Sequence, residues 1–379
     1  MNFKWVIGIV IKMILMTGGV VKKDTNSFIA GSVVKKYLTA KLLFIVIFMT
    51  AFLTRAYGSE DDVSVTLSFA GDCTLGIDSR YGYTNSLADV FIKQERRYGY
   101  FLENVAGIFS RGDFTVVNLE GPLTAATAPM DKEFRFVGPP EFVNILQDGG
   151  VGAVNLANNH IGDYYDRGIS DTKAALDGAG VGYFGAGGGF TAVKNGVTIG
   201  FLGYKGWSSG GSVKNAIAND IGEMRANGAD IVAVSFHWGE EQEHYPNAAQ
   251  KDLGRSAIDA GADVVFGHHP HVIQGIEEYN GKFIVYSLGN FCYGGHKNPA
   301  DKDTFIFQMS FTLGRGDGPG FIIKDGAAAV YPCLISSTKG RNDYRPTPAK
   351  GEDRDRIIER LSEYSSPFGD LNESVVFAE

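Results

Sequence analysis

Three of the chain's seven histidines lie within four residues, at His268, His269 and His271. The apolar run 262–267 that precedes them predicts a buried strand, so the three imidazoles stand at its carboxyl end. Imidazole nitrogens bind divalent metal ions, and two histidines that flank one residue on a turning backbone can both reach a metal above the strand end. The cluster therefore indicates one part of a metal site.

Four more stretches place an acid, an amide or an imidazole directly after a predicted strand. The side chains concerned are Asp72, Glu120, Asn159 with His160, and His237. In layered α/β folds, ligands bind at the carboxyl ends of the strands, where the connecting loops converge. We therefore expect these side chains to gather around the histidine cluster.

The residue types indicate which metals and which chemistry to expect. Oxygen and imidazole ligands without thiolates suit Mn²⁺, Fe²⁺, Zn²⁺ or Mg²⁺. Two such ions can clamp a phosphate and activate a water, while a nearby imidazole protonates the leaving oxygen. Taken singly, Asp72 also fits a turn aspartate, Glu120 a solvated turn residue, and the acidic run 240–243 a solvated surface. Their recurrence at equivalent strand ends favours the metal site.

Alternating apolar and amphipathic segments indicate the elements that position these residues. Strands are predicted at 63–70, 114–119, 151–156, 197–204, 231–236 and 264–266, and helices at 140–148, 170–179, 215–227 and 248–260. Strand and helix in alternation predict a layered α/β domain. The region 282–331 lacks helical segments and predicts antiparallel strands, and 351–364 predicts a terminal helix.

The amino-terminal region carries an export signal. Lys35, Lys36 and Lys41 precede the apolar run 42–53, and small residues follow at Ala56 and Gly58. This pattern predicts a secretory signal peptide, or a signal anchor if it is not cleaved. An earlier apolar stretch, 5–21, fits either a first membrane helix or a start site assigned too far upstream. We expect a protein on the extracytoplasmic face of the membrane, or secreted after cleavage.

The charge balance excludes some partners. Residues 1–58 hold eight basic residues and one acid, which leaves 27 basic against 42 acidic residues in 59–379, a net charge of about −15. Such a domain is a poor partner for nucleic acid or for an anionic membrane surface, but it attracts cations. The three cysteines are too few and too widely spaced for a disulfide framework.

Six motifs in order resemble a known family. They are Gly71-Asp72, Asn118-Leu119-Glu120, Asn158-Asn159-His160, His237-Trp238-Gly239, His269-Pro270-His271 and the run Tyr-Ser-Leu-Gly-Asn-Phe at 286–291. Over residues 63–333 the chain resembles the capsule synthesis protein CapA family of poly-γ-glutamate biosynthesis. That family is similar to calcineurin-like metallophosphoesterases. The resemblance implies a four-layer α/β/β/α sandwich with a two-metal site between its sheets.

The resemblance also implies roles for single residues. His160 is the implied general acid, Asn290 and Arg135 the implied substrate-binding residues, and His268 stands beside the ligands. The implied metal ligands are Asp72, Glu120, Asn159, His237, His269 and His271. Thr74 stands where the related phosphoesterases have a histidine, which removes one ligand.

The predicted organisation is a signal segment at 1–58, a metallophosphatase-like domain at 59–340 and a helical tail at 341–379. By resemblance, the protein serves poly-γ-glutamate or capsule synthesis or export alongside membrane-embedded polymer proteins. The alternative is a metal-dependent phosphoesterase outside the membrane, which the motifs permit directly. The expected substrate is an anionic polymer or a phosphoester. A non-catalytic scaffold also stays open, because of Thr74.

Overall fold

Two large β-sheets face each other in residues 62–316 and 320–378, the parts of the chain that the computed structural model describes. Residues 62–379 form one compact unit. The predicted signal segments, 5–21 and 42–53, lie outside the described residues. No helix within the described ranges is both long enough and apolar enough to cross a membrane.

The nine-stranded sheet contains the first strand of the described chain and most of the carboxy-terminal strands. Its members are β1 (Val63–Thr74), β3 (Phe114–Leu119), β5 (Ala153–Asn155), β6 (Gly182–Phe184), β13 (Asn290–Tyr293), β14 (Asp303–Arg315), β15 (Phe321–Leu334), β16 (Thr347–Pro348) and β17 (Val375–Phe377). The order is β16-β15-β14-β1-β3-β5-β6, with β13 beside β1 and β17 beside β15. Strands β3 and β13 run parallel to β1, whereas β14 runs antiparallel to it.

The six-stranded sheet has the order β11-β12-β10-β9-β8-β7. Its members are β7 (Phe190–Lys194), β8 (Val197–Gly206), β9 (Ile231–Trp238), β10 (Val264–His268), β11 (Ile276–Tyr279) and β12 (Lys282–Val285). The four inner strands are parallel, and the two edge strands are antiparallel to their neighbours. A separate two-stranded ladder joins β2 (Ile77–Asp78) to β4 (Phe136–Val137).

Six of the eight α-helices in the described ranges cover the outer faces of the two large sheets, whereas Glu352–Ser365 and Leu371–Ser374 pack against the apolar cluster between the sheets. Their bounds are α1 (Leu87–Lys93), α2 (Ala106–Phe109), α3 (Val143–Asp148), α4 (Tyr165–Ala179), α5 (Gly211–Ala226), α6 (Ala248–Asp259), α7 (Glu352–Ser365) and α8 (Leu371–Ser374). One apolar cluster joins α1 to α4 with the nine-stranded sheet, and another joins α5 and α6 with the six-stranded sheet. Because a third cluster fills the space between the two sheets, the architecture is a four-layer α/β/β/α sandwich.

The inner layer holds the sheets together through large apolar side chains. Phe69 of β1 and Phe266 of β10 have ring centroids 4.3 Å apart, and both side chains are fully buried. Burying one such side chain contributes roughly 1.5–3 kcal/mol to folding. This contact lies only a few residues before Asp72 and the histidine cluster, so it fixes the distance between the two halves of the predicted site.

The predicted α/β class is confirmed, with corrections to several elements. The prediction of antiparallel strands across 282–331 holds in part for β12, which pairs antiparallel with β11 but parallel with β10, and it was wrong for β13, which pairs in parallel with β1. Strands β14 and β15 are antiparallel as predicted. Residues 341–379, expected as a helical tail, contain α7 but also add β16 and β17 to the nine-stranded sheet. Helix α1 and the short strands β6, β7, β11 and β13 were not predicted, because each is too short to show a clear period.

Candidate metal centre

The carboxyl ends of the central strands of both sheets meet at one place. In the nine-stranded sheet, Asp72 is paired in register with Asn118 of β3 and with Asn290 of β13. In the six-stranded sheet, His237 of β9 is paired with His268 of β10. Parallel pairing therefore brings side chains that are up to 218 positions apart in the chain to a single edge of the sandwich.

A close backbone contact sets the position of Asp72. A Cβ atom at Gly71 would lie 2.0 Å from the carbonyl oxygen of Gly289, so only glycine fits at this point. The next amide, that of Asp72, donates a hydrogen bond to the same oxygen at 2.9 Å. The Gly71-Asp72 motif is thus explained by the approach of β1 to the segment before β13.

Asp72 is fully buried at the centre of the cluster. Its Oδ1 accepts a hydrogen bond from Asn118 Nδ2 at 2.8 Å and lies 3.3 Å from His268 Nδ1. Its Oδ2 accepts from the His269 amide at 3.2 Å and lies 3.4 Å from His271 Nδ1. Burial alone raises the pKa of Asp72, but the His268 and His271 imidazoles beside the carboxylate outweigh it and hold the pKa well below its usual value. The carboxylate is therefore ionised.

Glu120 supplies the second buried carboxylate. Its Oε1 lies 3.6 Å from His237 Nε2 and 3.7 Å from His271 Nε2, both longer than a hydrogen bond. The Thr74 hydroxyl donates to its Oε2 at 3.5 Å. Burial raises the pKa of Glu120 to about 8. This carboxylate lacks a strong partner and would gain from a cation.

The backbone is strained at two of the cluster's histidines. His269 has φ of 97° and His271 has φ of 59°, in the region that non-glycine residues rarely adopt. Each such residue costs about 1–3 kcal/mol, and such strain concentrates at functional sites. The bend directs the His269 amide to Asp72 and brings both imidazoles to the site.

The two strained histidines differ in charge. Burial lowers the pKa of His269 to about 4, so its imidazole is neutral and offers a lone pair. For His271 burial also lowers the pKa, but the nearby Glu120 and Asp72 carboxylates outweigh it and raise the pKa to about 10. The carboxylates favour positive charge at this position, and a metal ion bound there would displace the proton from His271.

Several buried nitrogen and oxygen atoms at this centre, each of a type that can bind a metal ion, have no hydrogen-bond partner within the described ranges. They include Glu120 Oε1, His269 Nδ1 and both ring nitrogens of His268. Unpartnered buried polar atoms are rare in folded proteins. Ligand atoms of Glu120, His269 and His271 all lie within 4.8 Å of one another. This donor set fits a divalent cation, with oxygen and nitrogen ligands and no thiolate.

Two other predicted ligands lie at the border of the centre. His237 Nε2 is 2.7 Å from Asn159 Oδ1, so the two side chains are hydrogen-bonded to each other. The other ring nitrogen of His237 lies 3.3 Å from Asn118 Nδ2. The Trp207 ring stands edge-on to His269, with centroids 4.7 Å apart, and is 49% exposed.

His160 is positioned by an acid and a lysine that were not predicted. Its Nδ1 is 2.7 Å from Asp163 Oδ2, and Lys132 Nζ lies 2.7 Å from the other oxygen of that carboxylate. The His160 ring packs on Phe136 with centroids 4.2 Å apart. Burial lowers the pKa of His160. An acid three residues after a candidate general acid was a usable signal for Asp163, whereas no local pattern marks Lys132.

A cleft of about 440 Å³ opens beside the centre, and His160, His271 and Asn290 contribute to its wall. Asn290 Oδ1 lies 2.9 Å from His271 Nδ1, and its Nδ2 donates to the His271 carbonyl at 3.0 Å, so Asn290 orients that histidine. Arg135 is not among the described residues that line the cleft. Its guanidinium donates to the Met130 carbonyl at 3.5 Å.

Asn118 is a further site residue to which the sequence assigned no role. Its amide nitrogen contacts Asp72 and His237, and its Oδ1 accepts hydrogen bonds from Asn155 Nδ2 at 3.2 Å and Asn158 Nδ2 at 3.3 Å. One side chain therefore ties three strands to the centre. Its place two residues before Glu120, at the end of the same strand, was the available signal.

Comparisons with known proteins identify the family that this part of the chain matches. A family model described as bacterial capsule synthesis protein PGA_cap matches residues 66–294. The chain is 32% identical over 299 residues to PGA biosynthesis protein CapA of Bacillus subtilis (strain 168), covering 72% of this chain and 74% of that protein. It is 33% identical over 227 residues to capsule biosynthesis protein CapA of Bacillus anthracis, covering 52% and 55%.

Two solved structures are distant neighbours. A hypothetical protein from Thermus thermophilus has a TM-score of 0.40 and 17% identity, covering 71% of this chain and 99% of that one. A novel phosphatase from Mycoplasma pneumoniae has a TM-score of 0.43 and 13% identity, covering 71% and 94%. TM-scores this low support neither the fold nor the function of this chain.

Proposed function

Because this chain belongs to the bacterial capsule synthesis protein PGA_cap family, we propose that it serves poly-γ-glutamate or capsule synthesis through a divalent-metal centre that hydrolyses a phosphoester. The matched residues 66–294 contain every side chain of that centre. The observation that supports a bound metal most strongly is the set of buried oxygen and nitrogen atoms without hydrogen-bond partners among the described residues, above all Glu120 Oε1 and His269 Nδ1.

Glu120, His269 and His271 would hold the cation, since their ligand atoms form one compact group. Asp72 lies against the same histidines and adds negative charge. A divalent ion bound there would act as a Lewis acid toward a phosphoryl oxygen. The second ion that the resemblance implies stays a prediction, because Thr74 offers only a hydroxyl, which already faces Glu120.

His160 is the proposed proton donor. Asp163 accepts a hydrogen bond from Nδ1, which leaves Nε2 for proton transfer. In its imidazolium form, His160 donates the Nε2 proton to the leaving oxygen and regains a proton from water. Lys132 neutralises Asp163 and also donates to the Asn159 carbonyl at 3.1 Å. The three residues hold one imidazole in the wall of the cleft, beside the proposed metal ligands.

Export and partners are proposals that rest on sequence. Residues 1–58 carry the basic and apolar pattern of a signal peptide or signal anchor. A relative named as a PGA biosynthesis protein supports association with polymer synthesis machinery. We propose that the domain works on the extracytoplasmic face, beside membrane-embedded polymer synthesis or export proteins.

Hydrolysis assays test the catalytic proposal. We expect the metal-loaded protein to cleave bis-p-nitrophenyl phosphate or p-nitrophenyl phosphate. His160→Ala should lower kcat by about 10²–10⁴-fold, the usual contribution of a positioned proton donor. Its matched control is His244→Ala, which changes a histidine that does not line the cleft and has no part in the proposed proton transfer.

Two results would contradict the catalytic proposal. One is a metal-loaded protein that cleaves neither ester, and the other is activity that survives His160→Ala unchanged. If no ester is cut but deletion of the gene removes surface polymer, the protein is a scaffold of the same fold.

A further inference from the structure

The cleft beside the metal centre is larger than a phosphoryl group requires. Its volume of about 440 Å³ lies in the range of pockets that enclose most of a small-molecule ligand. His160 and His271 occupy only one side of its wall. The remaining wall therefore contacts the part of the substrate that carries the phosphate.

Aromatic rings line much of that remaining wall. Tyr81 and Phe134 are 38% and 40% exposed, while Phe136 and Tyr293 are buried beside them. The Arg80 guanidinium lies 4.8 Å from the centroid of the Phe134 ring. Rings left in solvent at the mouth of a polar site are not explained by packing of the core, and they offer flat apolar faces to a ligand.

The charges in the cleft restrict what those rings can bind. None of the described residues that line it is a lysine or an arginine, whereas Glu241 and Asp301 are both present. Glu241 is exposed, and Asp301 is paired with Arg360. Because Arg360 neutralises Asp301, the charge that disfavours the carboxylates of a polyglutamate chain is that of Glu241. Carboxylate oxygens, together with the amides of Gln242 and Asn298, suit a neutral group that is rich in hydroxyls.

We propose that this cleft binds the sugar ring of a pyranosyl phosphate, with the phosphate directed to the metal centre. The proposal rests on the proposed phosphoester function and names its substrate class. Tyr81 and the exposed part of the Phe134 ring, beside Arg80, stack on the apolar face of the pyranose, and the acceptor groups of the wall receive its hydroxyl protons. The substrate of this site is thus a phosphorylated sugar, and the polymer itself does not bind in this cleft.

Calorimetric titration of the metal-loaded, full-length protein tests this assignment without turnover. The probes are methylphosphonate and the phosphonate isostere of glucose 1-phosphate, whose C–P bonds are not hydrolysed. We expect the isostere to bind at least about tenfold more tightly than methylphosphonate. Tyr81→Ala and Phe134→Ala should each lower the affinity for the isostere roughly three- to tenfold and leave the affinity for methylphosphonate unchanged.

Two variants serve as controls. Tyr83→Ala removes a tyrosine that is 56% exposed, only two residues from Tyr81, and that does not line the cleft. It should leave the affinity for the isostere unchanged. Tyr81→Phe keeps the ring and should retain the wild-type affinity.

The outcomes separate the two proposals. If methylphosphonate does not bind the metal-loaded protein, the phosphoester function fails and the sugar assignment fails with it. If methylphosphonate binds but the isostere binds no more tightly, only the sugar assignment is overturned. The sugar assignment is also overturned if adenosine 5′-phosphonate or tri-γ-glutamate binds more tightly than the isostere does.

Discussion

At the scale of single residues, the most unusual feature is the backbone at His269. Its φ of 97° is costly for any side chain that has a Cβ atom, and glycine alone adopts it freely. The strain is tolerated because it brings the backbone amide to Asp72 and the imidazole to Glu120 and His271 at the same time.

Replacing His269 should separate stability from metal binding. His269→Gly and His269→Ala both remove the imidazole, but only alanine keeps the strained backbone. We expect the metal-free glycine variant to exceed the alanine variant in free energy of unfolding by about 1–2 kcal/mol. Urea denaturation in the presence of a chelator measures this difference. An alanine variant as stable as the glycine variant would show that the backbone at this position is not strained.

Some site residues could be predicted from the sequence, and others could not. Asp72, Glu120 and the histidines each follow a predicted strand directly, and parallel strands end at the same edge, so the structure brings them together. Asn118 and Lys132 were missed for physical reasons. The role of Asn118 depends on which strands are neighbours, and Lys132 reaches the site from a loop without any periodic pattern.

At the scale of elements, the interface between the two sheets holds the site together. Strand β1 carries Asp72 and β10 leads into the histidine cluster, and the two strands meet through Phe69 and Phe266. A cavity at this contact would weaken the packing that sets the distance between the carboxylate and the imidazoles.

Phe69→Ala should therefore lower the free energy of unfolding by about 3–5 kcal/mol, as expected for a fully buried phenylalanine. The matched control is Val193→Ala on the edge strand β7, where the side chain is 63% exposed and the change should stay within about 0.5 kcal/mol. Guanidinium denaturation of both variants checks this. Equal losses of free energy of unfolding in the two variants would show that the inter-sheet contact does not stabilise the fold more than an exposed side chain does.

The sequence predicted the long elements well and the short ones poorly. Strand β3 was predicted with its observed bounds because six apolar-rich residues are flanked by polar turns. The parallel pairing of β12 with β10 was not predicted because the sequence shows no helix between these two strands, whereas the antiparallel pairing of β12 with β11 agrees with the prediction. The parallel connection instead runs from β10 through the antiparallel strand β11.

At the scale of the whole molecule, the carboxy-terminal helix supports the cleft. Arg360 of α7 donates to Asp301, which lies in the loop that lines the cleft. Burial raises the pKa of Asp301, but hydrogen bonds from Arg360 and from the Asp303 amide outweigh it, so the pKa lies below its usual value. The pair therefore stabilises the fold only while Asp301 is ionised.

This linkage gives a pH dependence with a defined sign. The pKa of Asp301 is lower in the folded state than in the unfolded state. The contribution of the ion pair to the free energy of unfolding is therefore complete above the unfolded pKa of about 4, and it is lost as the pH falls through the folded pKa. We expect Arg360→Gln to cost about 2–3 kcal/mol at pH 7 and progressively less below pH 4. Urea denaturation across that range measures it. A cost that does not change with pH would contradict the assignment.

The charge of the whole domain favours cations over polymers. With a net charge of about −15 over residues 59–379, the domain repels a polyanion and attracts divalent metals. Contact with the polymer would then depend on partner proteins, while the proposed metal centre would act on a smaller substrate.

The most direct test is the metal content of the purified full-length protein after loading with Mn²⁺ or Zn²⁺ and dialysis, measured by inductively coupled plasma mass spectrometry. We expect at least one ion per wild-type chain, and at least about tenfold weaker binding in Glu120→Gln. The control Glu240→Gln, an exposed acid of the neighbouring loop, should bind like the wild type. A wild-type chain that retains no stoichiometric ion, or a Glu120→Gln variant that binds as the wild type does, would contradict the metal centre.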